Sequence, residues 1–178
     1  MSVLAQRYAA ALVDVAIKRK SAEAFKKELA AFAGAYAISG DLRNFLATPA
    51  VSREAKQGVI EKLAERIGVG DAVRNFLYVI VDNRRMEDLG EIREAFELLL
   101  NERLGIAEAR VTSARELSAG EKEELTRALA QLTGKRIEAQ YNLDEKLIGG
   151  AVVRIGSTIY DGSVREQLNR LRTRLETE

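Results

Sequence analysis

The sequence contains no cysteine and no histidine, and only one proline in 178 residues. Without cysteine there is no disulfide framework, no thiolate nucleophile and no thiolate metal site. Without histidine the chain lacks the side chain that titrates nearest neutral pH and the commonest transition-metal ligand. Carboxylates, lysines and tyrosines remain, but as acids, bases or nucleophiles they need strong pKa tuning. A phosphate-binding loop is also missing. No Lys-Ser or Lys-Thr follows Gly149-Gly150 and no helix starts there, so the pair marks a bulge or a close backbone approach beside a strand. Asp144, Glu145 and Glu108 make no spaced metal set. These absences argue for a non-enzyme without cofactor or metal.

An excess of charge of one sign is missing too, with 28 Lys and Arg against 27 Asp and Glu. A nucleic-acid binder needs a basic surplus to neutralise phosphates, so no nucleic-acid partner is expected. No apolar run approaches the length of a membrane span, which predicts no direct membrane insertion. The opening Met1-Ser-Val-Leu-Ala-Gln-Arg7 has neither a charged segment followed by an apolar core nor an Arg- and Ser-rich leader. The expected location is intracellular or facing the cytoplasm.

What is present is a globular, helix-rich composition, 47% hydrophobic and 31% charged. Leu4, Tyr8, Leu12 and Val15 share one face of a 3.6-residue period. After Lys18-Arg19-Lys20, Ser21 is placed to cap a second helix with Phe25, Leu29, Phe32 and Tyr36 as its stripe. Gly40 and Asp41 turn the chain into a short apolar piece, Leu42 to Ala47, which Pro49 ends. Ser52 opens a helix through Val59, Ile60, Leu63 and Ile67, stopped by Gly68. The fifth runs from about Asp71 to Asp82, and the sixth from Met86 or Glu87 to Gly105. Six helical segments on short links predict an antiparallel bundle over residues 1–105.

The pattern changes after Gly105. Residues 107–112 alternate as a half-buried strand does, and Ser118-Ala-Gly-Glu121 is a capping box opening a helix that Gly134 closes. Ile137, Ala139, Tyr141 and Leu143 alternate again, and a third strand follows at Ala151 to Ile155. Asp161-Gly162 reads as a turn, and Ser163-Val-Arg-Glu166 as a second capping box before a terminal helix with Val164, Leu168, Leu171 and Leu175 on one side. The predicted fold is therefore mainly α: a six-helix bundle, then an α+β unit over 106–178 in the order strand, helix, strand, strand, helix. A unit so small is marginal alone and is expected to lean on a partner.

Two helices carry more apolar surface than one core requires. In the first, Val3, Val13 and Ile17 form a second arc beside the Leu4, Tyr8, Leu12, Val15 stripe, with Ala5, Ala9 and Ala16 between. In the fifth, Val73, Phe76, Leu77 and Ile80 make a core stripe, leaving Tyr78, Val79 and Val81 on other faces. Either both helices are central and buried all round, or the spare faces form a groove for a partner's amphipathic helix. Arg165, Arg170, Arg172 and Arg174 sit at mixed helical angles beside Glu166, Glu176 and Glu178. They suit a solvated face or an acidic protein partner better than RNA. A ribosome- or RNA-associated helical protein is the alternative from another class.

Three stretches carry a family resemblance. Arg7-Tyr8-Ala9-Ala10-Ala11-Leu12 resembles the first-helix motif of the delta subunit of bacterial F-type ATP synthase, counterpart of the mitochondrial oligomycin-sensitivity-conferring protein. Val81-Asp82-Asn83-Arg84-Arg85-Met86 is similar to the acidic-Asn-Gly-Arg-Leu stretch ending that family's fifth helix, with Arg84 where glycine is usual. Asp144 to Ser157 and Tyr160 to Leu168 resemble its signature region, with Ala139 upstream standing where a larger apolar residue is common. The resemblance implies a non-catalytic stator subunit on the cytoplasmic face of the bacterial plasma membrane, linking the catalytic head to the peripheral stalk so that proton flow is coupled to ATP synthesis. It implies that an alpha-subunit N-terminal helix lies between helices one and five, against Leu4, Tyr8, Ala11, Leu12, Val15, Phe76, Val79 and Ile80. It further implies that the C-terminal part engages the b subunits, for which Arg165, Arg170, Arg172 and Arg174 are candidates.

Overall fold

The computed structural model describes residues 2–144, 147–164 and 166. The chain divides into two compact units, Met1–Leu100 and Asn101–Glu178. Among the described residues the first unit is wholly helical: α1 (Val3–Lys18), α2 (Ala22–Ile38), α3 (Gly40–Ala47), α4 (Arg53–Ile67), α5 (Asp71–Asp82), a 3-10 turn at Met86–Asp88, and α6 (Leu89–Arg103), which crosses the unit boundary.

Local chemistry sets these limits. The hydroxyls of Ser2, Ser39 and Ser52 accept from the backbone N–H of Ala5, Leu42 and Ala55, each at 3.2 Å, satisfying donors that a helix start leaves open. The Ser39 cap starts α3 at Gly40, two residues before the apolar run that marks it in the sequence. Ser21 departs from expectation: it makes no side-chain cap, and its hydroxyl donates to the Arg19 carbonyl at 3.2 Å instead. Gly68 ends α4 at φ 74°, the left-handed conformation that glycine adopts without a Cβ clash. Arg84 takes the same region at φ 57° just past α5, so the turn expected of a glycine forms with arginine in its place.

Phe32, Phe96, Leu29, Ile60, Leu77, Ile80, Leu89 and Ile92 are fully buried in the first unit. At roughly 1.5–3 kcal/mol for each large side chain removed from water, this cluster is the unit's main source of cohesion.

The second unit carries β1 (Ile106–Ser113), α7 (Ala119–Thr133), β2 (Arg136–Leu143), β3 (Ala151–Ile155) and β4 (Thr158–Asp161). The sheet order is β2-β1-β3-β4, with β1 and β2 parallel and the other neighbours antiparallel. Parallel pairing of β1 with β2 needs the crossover that α7 provides. Ser118 and Glu121 close both halves of the capping box, and Gly134 stops α7 at φ 66°. The core here is small: Ala107, Ala109, Val111, Leu129, Ile137 and Val153.

The fold is thus mostly helical with a small mixed sheet, and the sheet has a strand that the sequence pattern does not announce. β4 is exposed at every position, so it shows no apolar alternation, and its last residue is Asp161 of the expected turn. At the start of the terminal helix, the Ser163 hydroxyl accepts from the Glu166 N–H at 3.3 Å. The rest of that expected helix, including Leu168, Leu171 and Leu175, lies outside the described residues. The glycine pair makes a close backbone approach: a Cβ on Gly150 (φ 83°) would come within 2.4 Å of the Gly162 carbonyl oxygen. Any side chain at 150 would push apart the segments that hold β3 and β4 together.

Candidate functional site

Three of the five buried residues of α1 are alanines. Ala5, Ala9, Leu12, Val13 and Ala16 are buried, whereas Val3 and Ile17 of the expected second arc are exposed. Alanines let α1 lie close to its neighbours, and the bulk of the helix is turned aside. Tyr8, Ala11, Leu12 and Val15, at i, i+3, i+4 and i+7, form one continuous wall.

The facing helix repeats the same spacing. Val73, Leu77, Ile80 and Val81 of α5 are buried, while Ala72, Asn75, Phe76 and Val79 point to a different side. Two expectations are corrected here. Phe76 leaves the core stripe and is only partly buried, and Val81, left over in the sequence pattern, takes its place in the core. Between the two walls lies a groove of about 420 Å³, lined by Arg7, Tyr8, Ala11, Leu12, Val15 and the four α5 residues.

Leu12 is 2% exposed and forms its floor, while Val15 and Val79 stand 40% and 48% exposed at its sides. The Tyr8 and Phe76 rings meet edge to face with centroids 6.5 Å apart, an arrangement that fixes both rings. The Arg7 guanidinium lies 6.0 Å from the Tyr8 ring centroid, the only formal charge in the lining. Six of the eight sequence-expected residues line the groove. Leu4 is half-buried outside it, and Ile80 is fully buried in the core, because its position on α5 faces Val73 and Leu77 rather than Val79. Arg7, Ala72 and Asn75 are lining residues that sequence periodicity passes over, since none is a large apolar side chain. Their signal is positional: each falls at helical spacing from a residue already on the wall.

A second concavity, about 670 Å³, belongs to the C-terminal unit and is lined chiefly by Leu117, Leu125, Ala128, Leu147 and Ile148. On its rim Arg115 grips Glu121 through both terminal guanidinium nitrogens. That hydrogen bond, with the Ser118 N–H and hydroxyl, holds the Glu121 carboxyl down at about 2. The expected stalk-binding arginines, Arg165, Arg170, Arg172 and Arg174, lie outside the described residues.

No helix among the described residues is long and apolar enough to cross a membrane. A helical unit with an open, apolar, helix-wide groove, joined to a small-cored α+β unit, defines an adaptor that docks other proteins. The chain belongs to the ATP synthase delta (OSCP) subunit family, whose model matches residues 4–175. It is 35% identical over 176 residues to ATP synthase subunit delta of Koribacter versatilis, covering 98% of each chain. Its identity to the Bacillus cereus protein of the same name is 39% over 175 residues, covering 97% of this chain and 96% of that one. The fold also matches a chain in the cryo-EM structure of the Toxoplasma gondii mitochondrial ATP synthase hexamer, with TM-score 0.65, 24% identity and 98% of each chain covered. Membership of this family supports the stator and adaptor role in ATP synthase, and lends no support to a ribosomal or RNA-binding one.

Proposed function

We propose that the α1–α5 groove receives the N-terminal helix of an ATP synthase alpha subunit, while the C-terminal unit holds the b subunits of the peripheral stalk. The chain then acts without catalysis, on the cytoplasmic face of the plasma membrane, as the fixed link that keeps the catalytic head from turning with the rotor. The groove carries this assignment. Its walls are apolar, half-exposed and built at i, i+3, i+4, i+7 spacing on two helices, which is the form that accepts a third amphipathic helix.

The test uses the full chain and a labelled peptide of the alpha-subunit N-terminus. Saturable binding is expected, and it should be lost when Phe76→Asp blocks the groove in a variant that still melts cooperatively. Absence of binding by the wild-type chain, or binding indifferent to the groove variant, overturns the assignment. Truncation after Ser163 addresses the other half: stalk binding should disappear and alpha-peptide binding should remain. Equal loss of both would refute a division of labour between 1–105 and 106–178.

A further inference from the structure

Both walls of the α1–α5 groove are held at their ends by side chains that do not line it. α5 starts behind Gly70, which has no side chain to cap the helix. The Glu28 carboxylate of α2 reaches that place instead and accepts the Gly70 N–H at 3.0 Å. A Cβ on residue 70 would come within 3.3 Å of the same carboxylate, so the glycine permits the approach. At the other end of α5, Asp82 accepts from Gln57 of α4 at 3.1 and 3.2 Å, and from Arg53 of the same helix. α1 repeats the arrangement at its start, where the Ser2 N–H donates to Glu91 of α6 at 2.9 Å.

These bonds do what the core cannot. Packing of Val73, Leu77 and Ile80 holds α5 in the unit, but apolar packing is non-directional and leaves the helix free to shift along its axis or turn about it. Hydrogen bonds at both ends fix position and rotation, and an ionised acceptor makes each of them stronger than a neutral pair. A carboxylate also suits the sites it occupies. Glu28 stands at the positive end of α5, and the partners of Asp82 sit in the opening turns of α4, at the positive end of that helix. The α5 wall lies between its two clamps, with Ala72 two residues after Gly70 and Val79 three before Asp82.

We propose that Glu28 and Asp82 are positioning residues for the helix that docks in the groove, holding α5 at the distance and rotation from α1 that the partner requires. The proposal rests on the assignment of the groove to a partner helix. A wall fixed beforehand needs no ordering when the partner arrives, so losing a clamp lowers affinity although no contact with the partner is removed.

The experiment uses the full chain, a labelled peptide of the alpha-subunit N-terminus as probe, and Glu28→Ala and Asp82→Ala beside their conservative counterparts Glu28→Gln and Asp82→Asn. Arg43→Ala is the control, since Arg43 donates to the Tyr36 carbonyl at 3.3 Å and ties α3 to α2, neither of which lines the groove. Each variant is melted, and peptide affinity is measured at a temperature where all are folded. The two alanine variants should melt lower than wild type and bind the peptide about 3- to 10-fold more weakly. Glutamine and asparagine keep an oxygen in reach of the same donors and should recover most of the affinity. Arg43→Ala should melt lower yet bind as wild type does, which separates positioning from general stability. Wild-type affinity in both alanine variants overturns the proposal and leaves the groove assignment intact, and so does an equal loss of affinity in Arg43→Ala. Should Asp82→Ala fail to melt cooperatively, Gln57→Ala takes its place, because it removes one donor and spares the Arg53–Asp82 pair; unchanged peptide affinity there overturns the role of Asp82. A wild-type chain that binds no peptide removes the groove assignment and this proposal together.

Discussion

Val79→Asp separates a docking groove from a packed core more cleanly than any other single change. Val79 is 48% exposed in the free chain, so roughly half of the 1.5–3 kcal/mol available from burying a valine, about 1 kcal/mol, is still to be gained when a partner covers it. Aspartate forfeits that gain and adds the cost of desolvating a carboxylate under the incoming helix, several kcal/mol if it stays charged. A loss of at least about 1.5–3 kcal/mol in alpha-peptide binding is expected, or roughly 10- to 100-fold. The folded chain should barely notice. The carboxylate faces water in the groove, and its cost there is limited to the poor fit of a negative charge in the last turn of α5, about 0.3–1 kcal/mol. Val73, on the same helix but fully buried, is the internal control: Val73→Asp leaves a charge in the core and should unfold the unit. The assays are calorimetric peptide titration and thermal melting on the same preparations. If Val79→Asp melts as badly as Val73→Asp, or binds the peptide as wild type does, the groove assignment fails.

Three further outcomes are expected. Ala11→Leu adds bulk to an exposed wall position, so peptide affinity should fall by at least about 1.5 kcal/mol while thermal stability changes by no more than about 0.5 kcal/mol; a large drop in melting temperature would contradict its exposure. Arg84→Gly should stabilise the chain by about 0.5–1 kcal/mol, because φ 57° strains a side chain with a Cβ and suits glycine; an unchanged or lower melting temperature counts against that strain. Glu121, depressed from the ordinary 4.5 to about 2, binds fewer protons in the folded state, so its stabilising contribution is present above pH 4.5 and lost as pH falls through about 2. Glu121→Gln should therefore flatten the acid branch of the stability curve between those values, and identical acid profiles for the two chains would rule the contribution out.

Turn chemistry was the most legible layer of the sequence. Ser52, Ser118, Gly68 and Gly134 act through groups attached to single residues, so their effect does not depend on tertiary context. Which apolar side chains face the core was less legible, for two physical reasons. Alanine carries little weight in a hydrophobic periodicity, so the buried Ala5-Ala9-Ala16 face of α1 was hidden behind the larger Tyr8 and Val15. On α5 the neighbours of Ile80 decide whether it meets the core or the groove, and a period of 3.6 alone does not distinguish two adjacent apolar arcs. β4 was missed because both of its faces are exposed, although Gly156-Ser157 leaves the two-residue link of a hairpin between Ile155 and Thr158.

The misplaced residues explain why the groove exists. A helix that filled the core with its largest side chains would leave only polar groups outside and nothing to dock. Here α1 gives the core three alanines with Leu12 and Val13 and keeps Tyr8 and Val15 for the cleft, and α5 gives Val73, Leu77, Ile80 and Val81 while keeping Phe76 and Val79. The unit can spare them because α2, α4 and α6 supply Phe32, Ile60 and Phe96 to the core instead. The walls are also already half-buried by one another, as in the Tyr8–Phe76 contact, so they need little ordering when a partner arrives. A stator link is judged by how slowly it lets go, and differences between related interfaces lie mostly in off-rate. A preformed groove of modest size does not secure that alone. The proposed second grip, by the C-terminal unit on the stalk, would make rebinding of the helix intramolecular, so that a released helix is recaptured before the link is lost. On that ground, severing the chain between its two units should leave each contact measurable in isolation while abolishing the coupling of head to stalk.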